Sequence, residues 1–185
     1  ILVISEVIRK IGKFSTEFTR KFIHIGVSHW WIVAMFFIKD IRYAIIPPLI
    51  FVFLNYLSYK NDLIKSMERG KDRADLGTVY FPISLIILVL ITWDGGFLGN
   101  DLKYLGALGA LTLGYGDGFA AIIGENFGRR KYKILNNEKS LEGSIGMLLF
   151  SFLVALIILG LFLGLDISII RISFVVAVLT TLIEA

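Results

Sequence analysis

The sequence predicts an all-α, polytopic integral membrane protein: a helical bundle of about six to seven transmembrane helices with three cytoplasmic loops. The chain has 185 residues, of which 56% are hydrophobic and only 18% are charged. Soluble domains are about 45–50% apolar and about 25% charged, and the apolar residues here occur in runs too long for a soluble core. We expect residues 1–185 to be one transmembrane catalytic domain. Because the chain lacks an initial Met and stops inside an apolar run, we also expect it to be truncated at both ends.

Six segments are long and apolar enough to span a bilayer, which takes about 20 residues. They are residues 22–38, 41–59, 76–93, 102–125, 143–165 and 167–185, and residues 1–8 would be the end of a seventh helix. Pro47 and Pro48 are expected to bend or break the second segment near its start. Small residues four apart, such as Gly160 and Gly164, allow close helix packing and would permit a homodimer.

The basic residues follow the predicted topology. The loops 9–21, 60–75 and 126–142 each hold five Lys or Arg, which is fifteen of the nineteen in the chain. Strict alternation of the spans puts these loops on one side, and an excess of basic residues marks the cytoplasmic side. The basic residues behind the net charge of +4 therefore indicate membrane topology. We expect the lipid bilayer, and not nucleic acid, to be a partner. Without Cys, and with only two His, we expect no disulfide and no zinc site.

Polar residues from separate spans recur at one depth. Asp117 lies fifteen residues into its span and Glu184 seventeen residues into the last span, both counted from the outer side. At about 1.5 Å per residue, both lie roughly 22–26 Å from the outer boundary. His24, and the span opening at Gly77 and Thr78, occupy the same cytoplasmic level. Ionisable groups inside a membrane are functional candidates, whereas His29, Trp30 and Trp31 are expected to be membrane-facing packing residues.

The densest polar region combines glycines, carboxylates and cations between residues 114 and 144. Asp117 and Glu142 could hold Mg²⁺, a hard cation that uses few carboxylates. Glycines leave backbone N–H groups free to approach phosphate oxygens, and a cluster of cations could neutralise a polyphosphate. This inventory suits phosphoryl or nucleotidyl transfer, although a glycine-rich helix end followed by a solvated basic loop would also explain it. The phosphate-binding candidates are Gly116, Gly118, Gly124, Gly128, Arg129, Arg130, Lys131, Lys139 and Ser140.

Two other phosphate-binding motifs do not fit this region. The Walker motif requires GxxxxGK[ST] between a strand and a helix, but Lys139 follows Glu138, and Lys133 stands where the first glycine should be. A dinucleotide fingerprint starting at Gly116 would lie in an apolar span and follow no strand.

The run GDGFAAIIG, followed by FGRRK and later by EKSLEGS, resembles the CTP-dependent polyprenol, dolichol, phytol and diacylglycerol kinases, a family of integral membrane enzymes. Arg20-Lys21-Phe-Ile-His24 resembles that family's R-K-x-x-H element. Phosphatidate cytidylyltransferases are similar but more distant. They usually carry Pro in the run before Lys139, and its absence here favours the kinase branch.

The resemblance implies transfer of the γ-phosphate of CTP to the hydroxyl of an isoprenoid alcohol or diacylglycerol at the cytoplasmic face. Asp117 would serve as a Mg²⁺ ligand or as the base, and Lys139 would bind the β- and γ-phosphates. Glu142 and Glu184 would be further metal ligands. Lys21 would contribute charge, and His24 would orient phosphate or hydroxyl. Gly77, Thr78 and Glu184 would line the substrate pocket.

Two alternatives remain at the level of sequence. One is a nucleotidyltransferase that acts on phosphatidic acid or a related lipid phosphate. The other is a transporter or structural membrane protein, which would carry polar residues through the midplane. The midplane stretches here, such as residues 83–92 and 148–159, are nearly all apolar.

Overall fold

The computed structural model describes residues 16–61, 77–98, 102–134 and 137–184. The predicted helix end at 1–8 and most of the predicted loops 9–21 and 60–75 lie outside this range. The chain forms two compact units, Ile1–Ala110 and Leu111–Ala185, which we describe separately.

Helices make up nearly all of the described part of the first unit. They are α1 (Thr16–Phe37), α2 (Ile41–Asn61), α3 (Gly77–Thr92) and the start of α4 (Lys103–Leu111). Asp40 precedes α2, and its Oδ1 accepts the backbone N–H of Arg42 at 2.9 Å, the kind of contact that favours Asp at a helix start.

Helix α2 continues through Pro47 and Pro48, so the predicted break does not occur. The fixed φ of proline suits a helix, and its cost lies in the lost N–H and the clash with the preceding turn. Membrane helices tolerate that cost because neighbouring groups and local adjustments satisfy the freed carbonyls.

Trp31 anchors the core of the first unit. Its side chain is fully buried, its indole N–H donates to the carbonyl of Lys103 at 2.9 Å, and its ring meets Trp93 edge-on at 5.5 Å. A Cβ on Gly106 would lie 2.0 Å from Cζ2 of Trp31, so only glycine allows this approach. The expectation that Trp31 faces the membrane is therefore wrong, because the indole fills the space between α1 and α4.

The second unit begins with a π-helical turn, Thr112–Asp117, which continues into α5 (Gly118–Phe127). An antiparallel hairpin follows, with β1 (Lys131–Ile134) and β2 (Asn137–Ser140) in a register that pairs Tyr132 with Lys139. Helices α6 (Leu141–Leu163) and α7 (Ile167–Glu184) complete the unit. The predicted loop 126–142 thus contains a hairpin and the first turn of α6, which is a local departure from an all-α fold.

Within the described residues, four helical stretches have the length and composition of membrane spans: Ile41–Ser58, Lys103–Phe127, Leu141–Leu163 and Ile167–Glu184. Thr78–Thr92 is also apolar but shorter. The helical, polytopic membrane fold is therefore confirmed. The total of six or seven spans and the cytoplasmic position of the loops stay predictions.

Candidate functional site

Asp117 is the last residue of the π-helical turn. The backbone N–H of Gly118 donates to the carbonyls of both Gly114 and Tyr115, which marks the transition into α5. Such wide turns are rare and occur frequently at functional sites. The three alternate glycines at 114, 116 and 118 are the sequence signal for this irregularity. Asp117 itself is half-buried.

Gly116 allows the π-helical turn to pack closely against α6. A Cβ at this position would lie 2.6 Å from Oγ of Ser151 and 2.7 Å from Sδ of Met147. These contacts are much shorter than ordinary van der Waals distances, so the glycine is explained by packing. The phosphate contacts of Gly116 and Gly118 stay predictions.

Ser140 joins the hairpin to α6 and lies among three glycines. Its Oγ accepts the backbone N–H of Gly143 at 3.1 Å, so Ser140 is the N-cap of α6. A Cβ on Gly124 would lie 3.0 Å from this Oγ, and a Cβ on Gly128 would lie 2.8 Å from it. Gly124 and Gly128 therefore let α5 approach the capped end of α6. A phosphate-binding role for Ser140 stays a prediction beside this structural one.

Glu142 fixes the turn that carries two of the predicted cations. Its carboxylate accepts the backbone N–H of Arg129 at 3.1 Å and that of Arg130 at 3.3 Å. The N–H of Leu141 donates to the carbonyl of Arg130 at 2.9 Å. Both arginines are exposed. Glu142 thus positions the backbone from which both guanidinium groups extend into solvent.

Side-chain contacts at both ends stabilise the hairpin. The Tyr132 hydroxyl bonds with the Ser144 hydroxyl, which ties β1 to α6. Lys131 and Glu138 form an exposed ion pair at 2.7 Å. Its hydrogen bond lowers the pKa of Glu138 and raises the pKa of Lys131. Lys131 is therefore paired with Glu138, although sequence reasoning grouped it with the phosphate-binding cations.

Lys139 contacts the end of α7, and this contact joins two candidates separated by 45 residues. Its Nζ donates to the backbone carbonyl of Glu184 at 2.8 Å and pairs with the Glu184 carboxylate. The side chains of Lys139 and Glu184 are 29% and 15% exposed. The Lys139 side chain is therefore held in place by Glu184 while part of it stays exposed.

The first unit brings two of its predicted site residues, His24 and Thr78, to one small cavity of about 10 Å³. Arg20 and Asn55 also line it, and Asn55 Nδ2 donates to the carbonyl of Thr78 at 2.6 Å. His24 lies 4.5 Å from the ring of Phe81.

The other two predicted residues of this unit have different positions. Lys21 is 4% exposed, and Gly77 is the first residue of α3. Sequence reasoning missed Asn55, which could have been noticed as an amide within an apolar span. Arg20 was recognised only as part of the R-K-x-x-H element, and no role in the site was predicted for it.

The candidate residues fit a Mg²⁺ ion only if the protein supplies few of its ligands. The described ranges contain no group of three or more His, Asp or Glu side chains that could hold a metal ion. Mg²⁺ is commonly held by one or two carboxylates together with substrate phosphates, and Asp117 supplies a carboxylate of the required chemistry. Glu142 also supplies a carboxylate, but its oxygens already accept two backbone N–H groups.

No protein-family model matches the chain, and no solved structure does. The chain is 28% identical over 185 residues to a phytol kinase from Synechocystis, which covers all of this chain and 77% of that protein. It is 36% identical over 107 residues to a probable chloroplastic phytol kinase from Glycine max, covering 56% of this chain and 33% of that protein. It is 29% identical over 157 residues to a chloroplastic farnesol kinase from Arabidopsis thaliana, covering 79% of this chain and 48% of that protein. The chain therefore spans about half or less of the two plant relatives.

Proposed function

Because the chain is similar to phytol and farnesol kinases over most or all of its length, we propose that it belongs to the polyprenol and phytol kinase family and is a membrane-embedded lipid-alcohol kinase. It transfers the γ-phosphate of CTP to the hydroxyl of an isoprenoid alcohol at the cytoplasmic membrane face. The observation that carries this proposal is the similarity to a phytol kinase along all 185 residues. The two plant relatives, named phytol kinase and farnesol kinase, support the same substrate class.

The second unit provides groups that can bind and position a nucleotide phosphate. Phosphoryl transfer depends on positioning and on electrostatic stabilisation of the phosphoryl oxygens. Lys139 is held by Glu184 and is partly accessible. Arg129 and Arg130 extend from a turn that Glu142 fixes. In this proposal Lys139 binds the β- and γ-phosphates and the two arginines neutralise further charge.

The alcohol oxygen forms the new bond to the γ-phosphorus, while the bond from that phosphorus to the β-phosphate oxygen breaks and CDP leaves. The hydroxyl proton must pass to a base, and the half-buried carboxylate of Asp117 is the candidate for that role when it is not a Mg²⁺ ligand. Mg²⁺, where bound by Asp117 and Glu142, would supply charge neutralisation for the phosphates. Asp117 serves as a ligand or as the base in this proposal, and the Asp117→Asn variant is expected to lose turnover in either role.

The relatives favour a kinase over a cytidylyltransferase because the curated proteins that match are named phytol or farnesol kinases. The same names disfavour a transporter. The donor nucleotide and the alcohol are separate parts of the proposal, so they need a direct test.

The test uses the full-length protein in membrane vesicles with Mg²⁺ and CTP labelled at either the α or the γ phosphate. Farnesol, phytol, diacylglycerol and phosphatidic acid are supplied separately, and γ-labelled ATP is run in parallel. We expect γ label from CTP to enter the lipid fraction with farnesol or phytol, and CDP to be released. Label from the α phosphate would instead make the protein a cytidylyltransferase, and transfer from ATP alone would overturn CTP as the donor.

A further inference from the structure

An apolar groove of about 420 Å³ lies between α1, α2 and α3 in the first unit. Its walls include Val27, Trp30 and Val33 from α1, Pro47 from α2 and Leu85 from α3. No Lys, Arg, Asp or Glu lines it, and its one histidine, His29, has Nδ1 2.7 Å from the carbonyl oxygen of Ile25. Its volume falls within the range of small-molecule sites, about 300–1,000 Å³. The groove therefore has the size and chemistry to hold an apolar chain.

The small cavity lined by Arg20, His24, Asn55 and Thr78 adjoins one end of this groove. The two spaces share Val27 and Phe51 as lining residues. A volume of about 10 Å³ is close to the minimum that admits a single water molecule. The cavity therefore accepts a group the size of one hydroxyl and is too small for a phosphodiester headgroup.

All three helices run from the polar cavity to the apolar groove. Along α1, the lining residues at 20, 24, 27, 30 and 33 recur at the spacing of one helix face. On α2, Asn55 lines the polar cavity and Pro47 the groove, and on α3 the order is Thr78 and then Leu85. From His24 to Val33, nine residues of helix span about 13–14 Å. The site is thus elongated, with a polar end and an apolar end.

From this arrangement we propose that α1, α2 and α3 form the binding site for the isoprenoid alcohol. Before transfer, the hydroxyl end of the bound alcohol lies beside His24, Asn55 and Thr78, and the tail extends along the groove towards Val33. The chemical identity of the occupant rests on the proposed function. The small polar end favours an alcohol over a phospholipid, because it has room for one hydroxyl and none for a charged headgroup.

Photolabelling tests the site without using catalysis as the readout. The probe is a farnesol analogue with a diazirine on its terminal isoprene unit, added to the full-length protein in phospholipid vesicles. We expect crosslinks to map to residues 26–51 and to Leu85, and excess farnesol or phytol to suppress them. Crosslinks that excess farnesol does not suppress, or that a photoreactive phospholipid reproduces equally well, would show that the groove binds ordinary bilayer lipid and would overturn the proposal.

A substitution at the far end of the groove tests the direction of the tail. Val33→Trp shortens the groove, so we expect kcat/KM for phytol to fall about tenfold or more relative to farnesol, which is one isoprene unit shorter. Ile87→Trp is the matched control, because Ile87 is 49% exposed on α3 and lines neither cavity. An unchanged phytol-to-farnesol ratio in Val33→Trp would refute the assigned direction.

These readouts separate this inference from the proposed function. Suppressible labelling of the groove in a protein that phosphorylates no alcohol would refute the kinase and keep the site. An active kinase whose crosslinks lie outside residues 26–51 and Leu85 would refute the site and keep the kinase.

Discussion

Replacing Gly143 by alanine should destabilise the second unit, because a new Cβ would contact backbone rather than flexible side chains. This Cβ would lie 2.9 Å from the carbonyl oxygen of Ala120 and 3.0 Å from Oγ of Ser140. Alanine favours a helix by about 1 kcal/mol over glycine, whereas overpacking costs about 1–3 kcal/mol. The free energy of unfolding should therefore fall by up to about 2 kcal/mol.

Gly160→Ala in the same helix is the matched control. The nearest atom to its new Cβ would be Cδ1 of Leu165 at 3.4 Å, an ordinary contact, so the variant should gain up to about 1 kcal/mol. Thermal unfolding of both variants in the same detergent measures the difference, which should be several degrees at about 2–4 °C per kcal/mol. Equal stabilisation by both substitutions would refute the close approach of α5 to the start of α6.

Three further substitutions test the second unit. Glu184→Gln removes the carboxylate partner of Lys139 and should lower kcat/KM about tenfold, which is about 1.4 kcal/mol in activation free energy. A change in KM for the nucleotide, with little change in melting temperature, would identify Glu184 as a positioning residue, and unchanged kinetics would contradict that role. Glu142→Ala removes the acceptor of two backbone N–H groups and should lower the melting temperature. An unchanged melting temperature would show that other contacts hold the turn. Glu138→Gln removes an exposed ion pair and should leave activity unchanged at neutral pH. Because the pKa of Glu138 is lowered in the folded protein, any stability from this pair is present above the ordinary carboxyl pKa and is lost as pH falls through the folded value, so wild type and variant should melt alike in acid.

The helices could be predicted from the sequence because membrane spans are long and uniformly apolar. The predicted span 41–59 corresponds to α2 at Ile41–Asn61, and the predicted span 167–185 to α7 at Ile167–Glu184. The hairpin could not be predicted, because its two strands have four residues each and carry mostly charged or polar side chains. Its stability comes from contacts such as Tyr132 with Ser144, which no periodicity reveals.

The candidate site was predicted as a set of residue types, and several of these residues also have structural roles in the fold. Ser140 and Glu142 were selected for phosphate and metal chemistry, yet they cap α6 and fix the turn before the hairpin. Lys139 and Glu184 were selected separately, and only the tertiary fold brings them into contact. Asn55 was not predicted as a site residue, because no sequence motif surrounds this single amide in an apolar span.

The most direct test of the central claim is the formation of an isoprenyl phosphate by the full-length protein in vesicles with CTP, Mg²⁺ and farnesol. Mass spectrometry detects the product for wild type, for Lys139→Met and for Lys133→Met, an exposed lysine of the same hairpin. We expect wild type and Lys133→Met to form the product and Lys139→Met to lose at least about 100-fold in rate. The absence of product from the wild type would contradict the kinase, and a Lys139→Met variant as active as Lys133→Met would contradict the phosphate site.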